Sequence, residues 1–199
     1  MKKAFEQFSE RVKHKVVVAQ GVEIEAYYYA VEEKADYYAQ AIRLEGSGYR
    51  FDLVTPTQTY KDVYLKAMGR HNLFNAIGAL AVLDTGGLPL DKALASLRTF
   101  KGIRRRMEVF SLENKTVVDD YAHHPEEINA VLKTISEFYP DKRNMVVFQP
   151  HLFSRTQDFM QEFVEVLTQF DEIVLMDIYP AREEPIIGVS SDVLLELIQ

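Results

Sequence analysis

The stretch KTVVDDYAHHPEEINAVL, residues 115–132, holds a β-rich run, a polar loop and the start of an amphipathic helix. Thr116 to Asp119 is short, apolar and β-branched, which predicts a strand. Pro125 suits the first helical position because no amide is needed there, and Glu126 and Glu127 suit the positive end of the helix dipole. Ile128, Val131, Leu132, Ile135 and Phe138 then recur at helical spacing. The same unit repeats downstream. Met145 to Phe148 predicts a second strand, followed by a helix that opens with Ser154-Arg155-Thr156-Gln157, a capping-box spacing. Its apolar stripe is Phe159, Phe163, Val166, Leu167 and Phe170. Ile173 to Met176 predicts a third strand, and a further helix begins near Ser191. Strands spaced about 28 residues apart with helices between them predict βα units. Their unbroken apolar character predicts a parallel sheet buried on both faces.

Upstream the pattern differs. Val16 to Ala19, Tyr37 to Leu44, Tyr49 to Val54 and Thr59 to Leu65 read as strands, with Gly46-Ser47-Gly48 as a hairpin loop. An antiparallel sheet is expected. A helix over His71 to Leu83 would bury Leu73, Phe74, Ile77, Leu80 and Ala81 and stop at Gly86-Gly87. A shorter one over Pro89 to Leu97 would turn Leu90, Ala93, Leu94 and Leu97 inward. The basic segment Lys101 to Arg106 is the expected boundary, giving domains over 1–107 and 108–199.

Hydrophobic residues make up 47% of the 199 and charged residues 27%, which is enough apolar material for packed cores. The net charge of -7 argues against nucleic acid as a partner, because a phosphate backbone rewards basic faces. With no cysteine, neither a disulfide nor a thiolate metal site can form, which suits a reducing compartment. No apolar run is long enough to span a bilayer, and the N-terminal stretch lacks the apolar region of a signal peptide. The expectation is a cytoplasmic protein without membrane insertion. The sequence carries no signal for oligomeric state.

The chemistry-bearing residues fall where the predicted strands end. The first strand runs into Asp119-Asp120-Tyr121-Ala122-His123-His124, the second into Gln149-Pro150-His151, and the third into Asp177-Ile178-Tyr179-Pro180-Ala181-Arg182. Open α/β sheets bind ligands outside the carboxyl ends of their strands. A single Asp at such a point is more often a cap or loop residue; the set together is what points to a site. Arg104-Arg105-Arg106 with Lys101 reads either as a solvated charge run or as a phosphate clamp at a domain junction. His71, Asn72 and Asn75 open a helix, with the two amides on one face. Asn72 could be a simple N-cap, or the pair could hold a nucleotide at the helix end. Neither G-x-x-x-x-G-K-[ST] nor G-x-G-x-x-G occurs.

Together, GRHNLFNAIGALAVL (69–83), FKGIRRRMEVF (100–110), VVDDYAHHPEEI (117–128), VFQPHLFSRT (147–156) and DIYPAREEPIIGVSS (177–191) resemble segments of the Mur ligase family, in the family's order. The likeness is looser before residue 67. It implies the end of a central ATPase domain, built of antiparallel strands and helices, followed by an incomplete Rossmann-like parallel βαβαβ domain. Among family members it is nearest those that add L-alanine to UDP-N-acetylmuramate, through an acyl phosphate made with ATP and Mg2+. By resemblance Arg106 is the catalytic arginine approaching the γ-phosphate. His71, Asn72, Asn75 and Arg106, with Asp120 at the ribose, are the ATP-binding set. Tyr121, His124, His151 and Arg155 face the amino acid. The resemblance places no metal ligand in these residues and expects the metal and main phosphate ligands upstream, so the chain alone is expected to be inactive. Domain closure would bring the two groups of residues together. Leu152 stands where many relatives carry a basic residue. A different reading takes Asp119, Asp120, His123, His124 and His151 as the oxygen and nitrogen donors of a metal-dependent hydrolase.

Overall fold

The computed structural model describes residues 2–199 and divides into two compact units, one ending at Met107 and the other spanning Glu108–Gln199. After a short helix α1 (Lys2–Ser9), the first unit carries five strands: β1 (Val17–Ala19), β2 (Tyr27–Val31), β3 (Tyr37–Glu45), β4 (Gly48–Val54) and β5 (Thr59–Leu65). They lie in sequence order in one sheet. β3, β4 and β5 are antiparallel, as expected, and Glu45 pairs with Gly48 across the predicted loop.

The expectation of a wholly antiparallel sheet fails at β1 and β2. β2, which the sequence reading missed, runs parallel to both β1 and β3. Short connections ordinarily imply antiparallel neighbours. Here side chains hold the returns instead. The Asp36 carboxylate accepts the Tyr28 amide at 2.8 Å, and the Tyr28 hydroxyl donates to the Ile24 carbonyl.

α2 (Arg70–Thr85) covers this sheet. Alternation along β4 turns Tyr49, Phe51 and Leu53 inward, and α2 answers with Leu73, Ile77, Leu80 and Ala81, all buried. Phe74 is only half-buried and packs on the Tyr29 ring with 4.6 Å between centroids. A Cβ at Gly78 would meet that ring at 2.9 Å, so the missing side chain is what lets helix and sheet approach. α3 (Asp91–Leu97) follows, with Leu90 buried at its start and Ala93, Leu94 and Leu97 half-buried.

The second unit contains β6 (Glu108–Leu112), β7 (Lys115–Asp119), α4 (Pro125–Phe138), β8 (Met145–Phe148), α5 (Phe153–Asp158), α6 (Met160–Leu167), β9 (Glu172–Leu175) and α7 (Ser191–Ile198). It is an α/β unit, but its parallel ladder is the β8–β9 pair alone. β7 pairs antiparallel with β6, a strand the sequence reading did not foresee. A tight turn offers β7 a local partner at low loop-closure cost. Ile128, Leu132, Phe148, Phe163, Val166, Leu167, Phe170 and Leu194 form one core, drawing α4, α6 and α7 onto β8.

Burial on both faces does not hold either. Met145, Val147, Val174 and Met176 are 45–62% exposed, while Val146, Phe148, Ile173 and Leu175 meet the core. α4, α6 and α7 all pack in the core that takes Val146, Phe148, Ile173 and Leu175, so an unbroken apolar strand is no proof of two covered faces. The single helix expected after β8 is two, divided at Phe159.

Candidate functional site

In the first unit, the N-cap of α2 is Gly69, whose φ of 94° is the left-handed region glycine tolerates. A Cβ there would lie 2.5 Å from the His71 ring, so His71 folds back over this residue. Asn72 is not the N-cap. It sits in the first turn, and its side-chain amide donates to the Met68 carbonyl at 2.7 Å. Asn75, one turn on, is exposed.

The arginine segment is a tight turn. The Arg106 amide donates to the Ile103 carbonyl at 3.1 Å, and the two residues form a β-bridge. Arg104, Arg105 and Arg106 are all exposed. Arg105 and Met107 have φ of 57° and 50°, left-handed values that cost a non-glycine residue about 1–2 kcal/mol. Met107 is buried and anchors the far end of the turn.

The second unit gathers its polar residues at the strand ends. After β7, Asp120 accepts the Ala122 amide at 2.8 Å, the turn-forming habit of aspartate. His124 is the N-cap of α4 and accepts the Glu126 amide at 3.4 Å; its ring meets Phe159 edge-on at 4.4 Å. Glu127 completes the capping box by accepting the amides of His123 and His124 at 2.8 and 3.2 Å. One carboxylate thereby fixes the backbone of both histidines.

The loops after β8 and β9 are stitched to each other. The Leu152 amide donates to the Tyr179 carbonyl at 2.9 Å and the Tyr179 amide to the Pro150 carbonyl at 2.8 Å. The Gln149 side chain donates to the Asp177 carbonyl at 3.1 Å. Leu152 is held at φ 75°, a strained value just before α5. The capping-box reading of Ser154 does not hold: Ser154 lies inside α5, and its amide and hydroxyl both donate to Glu183, from the loop after β9.

Four rings then run across the three loops. Tyr121 meets His123 at 5.1 Å, His123 meets His151 at 6.0 Å, and His151 stacks on Tyr179 at 5.3 Å. Arg155 stands beside them, its guanidinium reaching the His151 carbonyl at 3.5 Å. Burial, with Arg155 and His123 nearby, pulls the His151 imidazole below its ordinary value, so it is neutral at neutral pH. Its Nδ1 is buried and has no hydrogen-bond partner.

The structure thus brings Tyr121 and His123 of the loop after β7 to His151 of the loop after β8, with Arg155 beside it on α5; Asp120 and His124 lie in the same loop as Tyr121. Glu127 and Glu183 were missed as supports, whereas Tyr179 stood among the strand-end residues. For Glu127 the signal was its place three residues after the N-cap. For Glu183 no local signal existed, because its partner Ser154 follows another strand. Among the described residues no three His, Asp or Glu side chains form a group able to hold a metal ion. The hydrolase reading thus loses the observation that prompted it.

Comparison with known proteins gives the family of the chain. Residues 8–83 match the Mur ligase middle domain, and residues 105–198 match the Mur ligase glutamate ligase domain. The chain belongs to the Mur ligase family. It is similar to the UDP-N-acetylmuramate--L-alanine ligase of Flavobacterium psychrophilum, with 44% identity over all of this chain and 45% of that protein. The enzyme of that name from Porphyromonas gingivalis is 40% identical over 86% of this chain and 38% of its own length. The chain thus spans less than half of the curated relatives it matches. Among solved structures, UDP-N-acetylmuramate-alanine ligase from Thermotoga maritima superposes with a TM-score of 0.74 at 28% identity, over 89% of this chain and 41% of that one. Folylpolyglutamate synthase from the same organism shares the fold, with a TM-score of 0.63 at 21% identity over 86% of this chain and 38% of that one.

Proposed function

We propose that this chain is the later part of a cytoplasmic ATP-dependent ligase that joins L-alanine to UDP-N-acetylmuramate in peptidoglycan synthesis. The observation that carries the reading is the convergence of three strand-end loops around His151 and Arg155, in a chain whose relatives bear that activity in their names. No helix among the described residues is long and apolar enough to cross a membrane.

ATP supplies a phosphoryl group to the substrate carboxylate, and the alanine amine then displaces phosphate from the acyl phosphate. Transfer of this kind depends on positioning and on positive charge around the spreading oxygens. Arg106, exposed on its turn, is suited to the γ-phosphate, because a guanidinium fork matches phosphate oxygens. Asn72 and Asn75, with His71 beside them, supply amide contacts to ATP, and Asp120 accepts from the ribose. Arg155 pairs with the alanine carboxylate as a two-pronged donor. The neutral His151 adds no further positive charge beside it, and Tyr121 and His124 line the same end. Mg2+ is bound elsewhere in this reading, by residues outside this chain, as are the main phosphate contacts. The chain alone therefore makes no product.

Phosphate release, dependent on both UDP-N-acetylmuramate and L-alanine, tests the reading in the full-length ligase containing this chain. Arg106→Ala should lower kcat by about a hundredfold, the scale of losing one donor to the transition state. Arg155→Ala should raise the KM for L-alanine with a smaller change in kcat. Unchanged alanine KM in the Arg155 variant would remove the amino acid from this end of the site.

A further inference from the structure

We infer that Glu183 is a positioning residue: by taking both the amide and the hydroxyl of Ser154, its carboxylate fixes the first turn of α5 and so sets Arg155 and His151 for the carboxylate of an amino acid. The inference deepens the proposed function and rests on its reading of Arg155 and His151.

The geometry supports it from three sides. First, the two bonds, 2.9 Å from the Ser154 amide and 2.6 Å from its hydroxyl, cross from the loop after β9 to the helix after β8. Ser154 directly precedes Arg155, so the anchor is one residue from the guanidinium stem. Second, Leu152 and Pro150 are bonded to Tyr179 on the same loop, and the Tyr179 ring stacks on His151. Glu183 and Tyr179 thus grip the segment 150–154 from opposite ends. Third, the charges are arranged in opposition. His151 faces two groups that disfavour its protonation, Arg155 on α5 and His123 after β7, and one that favours it, Glu183 after β9. The bonds from Ser154 hold the Glu183 carboxyl below its usual range, with Arg155 adding to the effect. Glu183 therefore stays ionised and balances the Arg155 charge without bonding its guanidinium, leaving that fork to a ligand carboxylate.

The test is NMR on the chain, following the arginine Nε–H and histidine Cε1–H signals, with L-alanine as the probe. In Glu183→Gln the His151 pKa should fall further, because the one neighbour that raises it is gone. The L-alanine response at Arg155 should weaken about tenfold, the loss expected when a charge-assisted arrangement is broken. Glu183→Asp restores the charge and should return the His151 titration towards that of the parent. Ser154→Ala removes one bond without changing charge, and should weaken the alanine response while leaving the His151 titration in place. A His151 pKa unchanged in Glu183→Gln would show that the carboxylate does not act on the imidazole beside Arg155, and would overturn the inference. An alanine response equal to the parent's would also overturn it while leaving the proposed function standing. If the parent shows no response to L-alanine at Arg155, the amino-acid reading fails, and with it the purpose assigned to the clamp.

Discussion

In the first unit, the residues assigned to the nucleotide sit on a helix end and a tight turn, each held by local bonds: Asn72 to Met68, Arg106 to Ile103. In the second, the residues assigned to the amino acid sit in loops bonded across strands, with Glu183, Tyr179 and Glu127 each holding backbone that is not their own. An exposed arginine on a turn can follow a phosphate as it moves. On the proposed reading, a half-buried arginine beside a neutral histidine would select one small carboxylate through fixed geometry. The contrast extends to the cores. The β-sheet of the first unit lies under α2, whereas β8 and β9 pack helices on one face only.

The largest expected effect comes from removing the floor of each unit. Phe163 and Leu73 are both fully buried. Phe163→Ala should cost about 3–5 kcal/mol and Leu73→Ala about 2–5 kcal/mol. Thermal unfolding followed by NMR would show whether each loss stays in its own unit. If Leu73→Ala also melted the strand-end cluster, the two units would not be separable in stability.

Asp120→Ala comes next. It removes the bond to the Ala122 amide, at a cost of about 1 kcal/mol to the loop. On the proposed reading it also weakens ATP binding about tenfold, through loss of the ribose contact. Calorimetry with the full-length ligase decides this, and equal ATP affinity in variant and parent would take Asp120 out of the nucleotide set.

The units should also differ in their response to pH. Burial, helped by the hydrogen bond to Asp84, pushes the Tyr37 phenol of the first unit well above its ordinary value. A raised value means that the folded form keeps its proton longer, so this contribution is present below pH 10.0 and is lost as pH rises above it. In the second unit His151 is lowered from 6.5, so stability falls as pH drops below that point, where the unfolded chain takes up the proton first. Glu183, lowered from 4.5, adds a loss further into acid as its carboxylate protonates. Glu45, bonded to Arg50 on the first unit's surface, also weakens in acid, but solvent screens that pair. Tyr37→Phe should flatten the alkaline arm and His151→Gln the upper acid arm. A Tyr37→Phe variant with the parent's alkaline sensitivity would contradict the comparison.

The smallest effect is expected at Arg105. Glycine would relieve its left-handed backbone, by about 1 kcal/mol, and would lose about as much through greater freedom of the unfolded chain. Stability should therefore change by less than about 1 kcal/mol, with any change in turnover reporting on the turn itself. A larger destabilisation in denaturant titration would show that the Arg105 side chain contributes more than the turn geometry explains.

Local pattern was sufficient for much of this protein. The spacing of Ile128 and Leu132, of Leu73, Ile77 and Leu80, and of Phe163, Val166 and Leu167 marked the buried helix faces, because helical periodicity is written in the chain. The placement of Asp120, Tyr121, His124 and His151 after predicted strands was legible from the short apolar runs that precede them; Arg155, on α5, came from the family likeness alone. The tertiary structure alone decided which strands pair, which sheet face stays open, and which side chains hold the site. β2 lies parallel to its neighbours through side-chain bonds in its loops, β7 takes β6 as its partner, and Glu183 meets Ser154 from the loop after another strand. Each of these depends on contacts between residues distant in sequence, whose energy becomes available only once the chain has closed on itself.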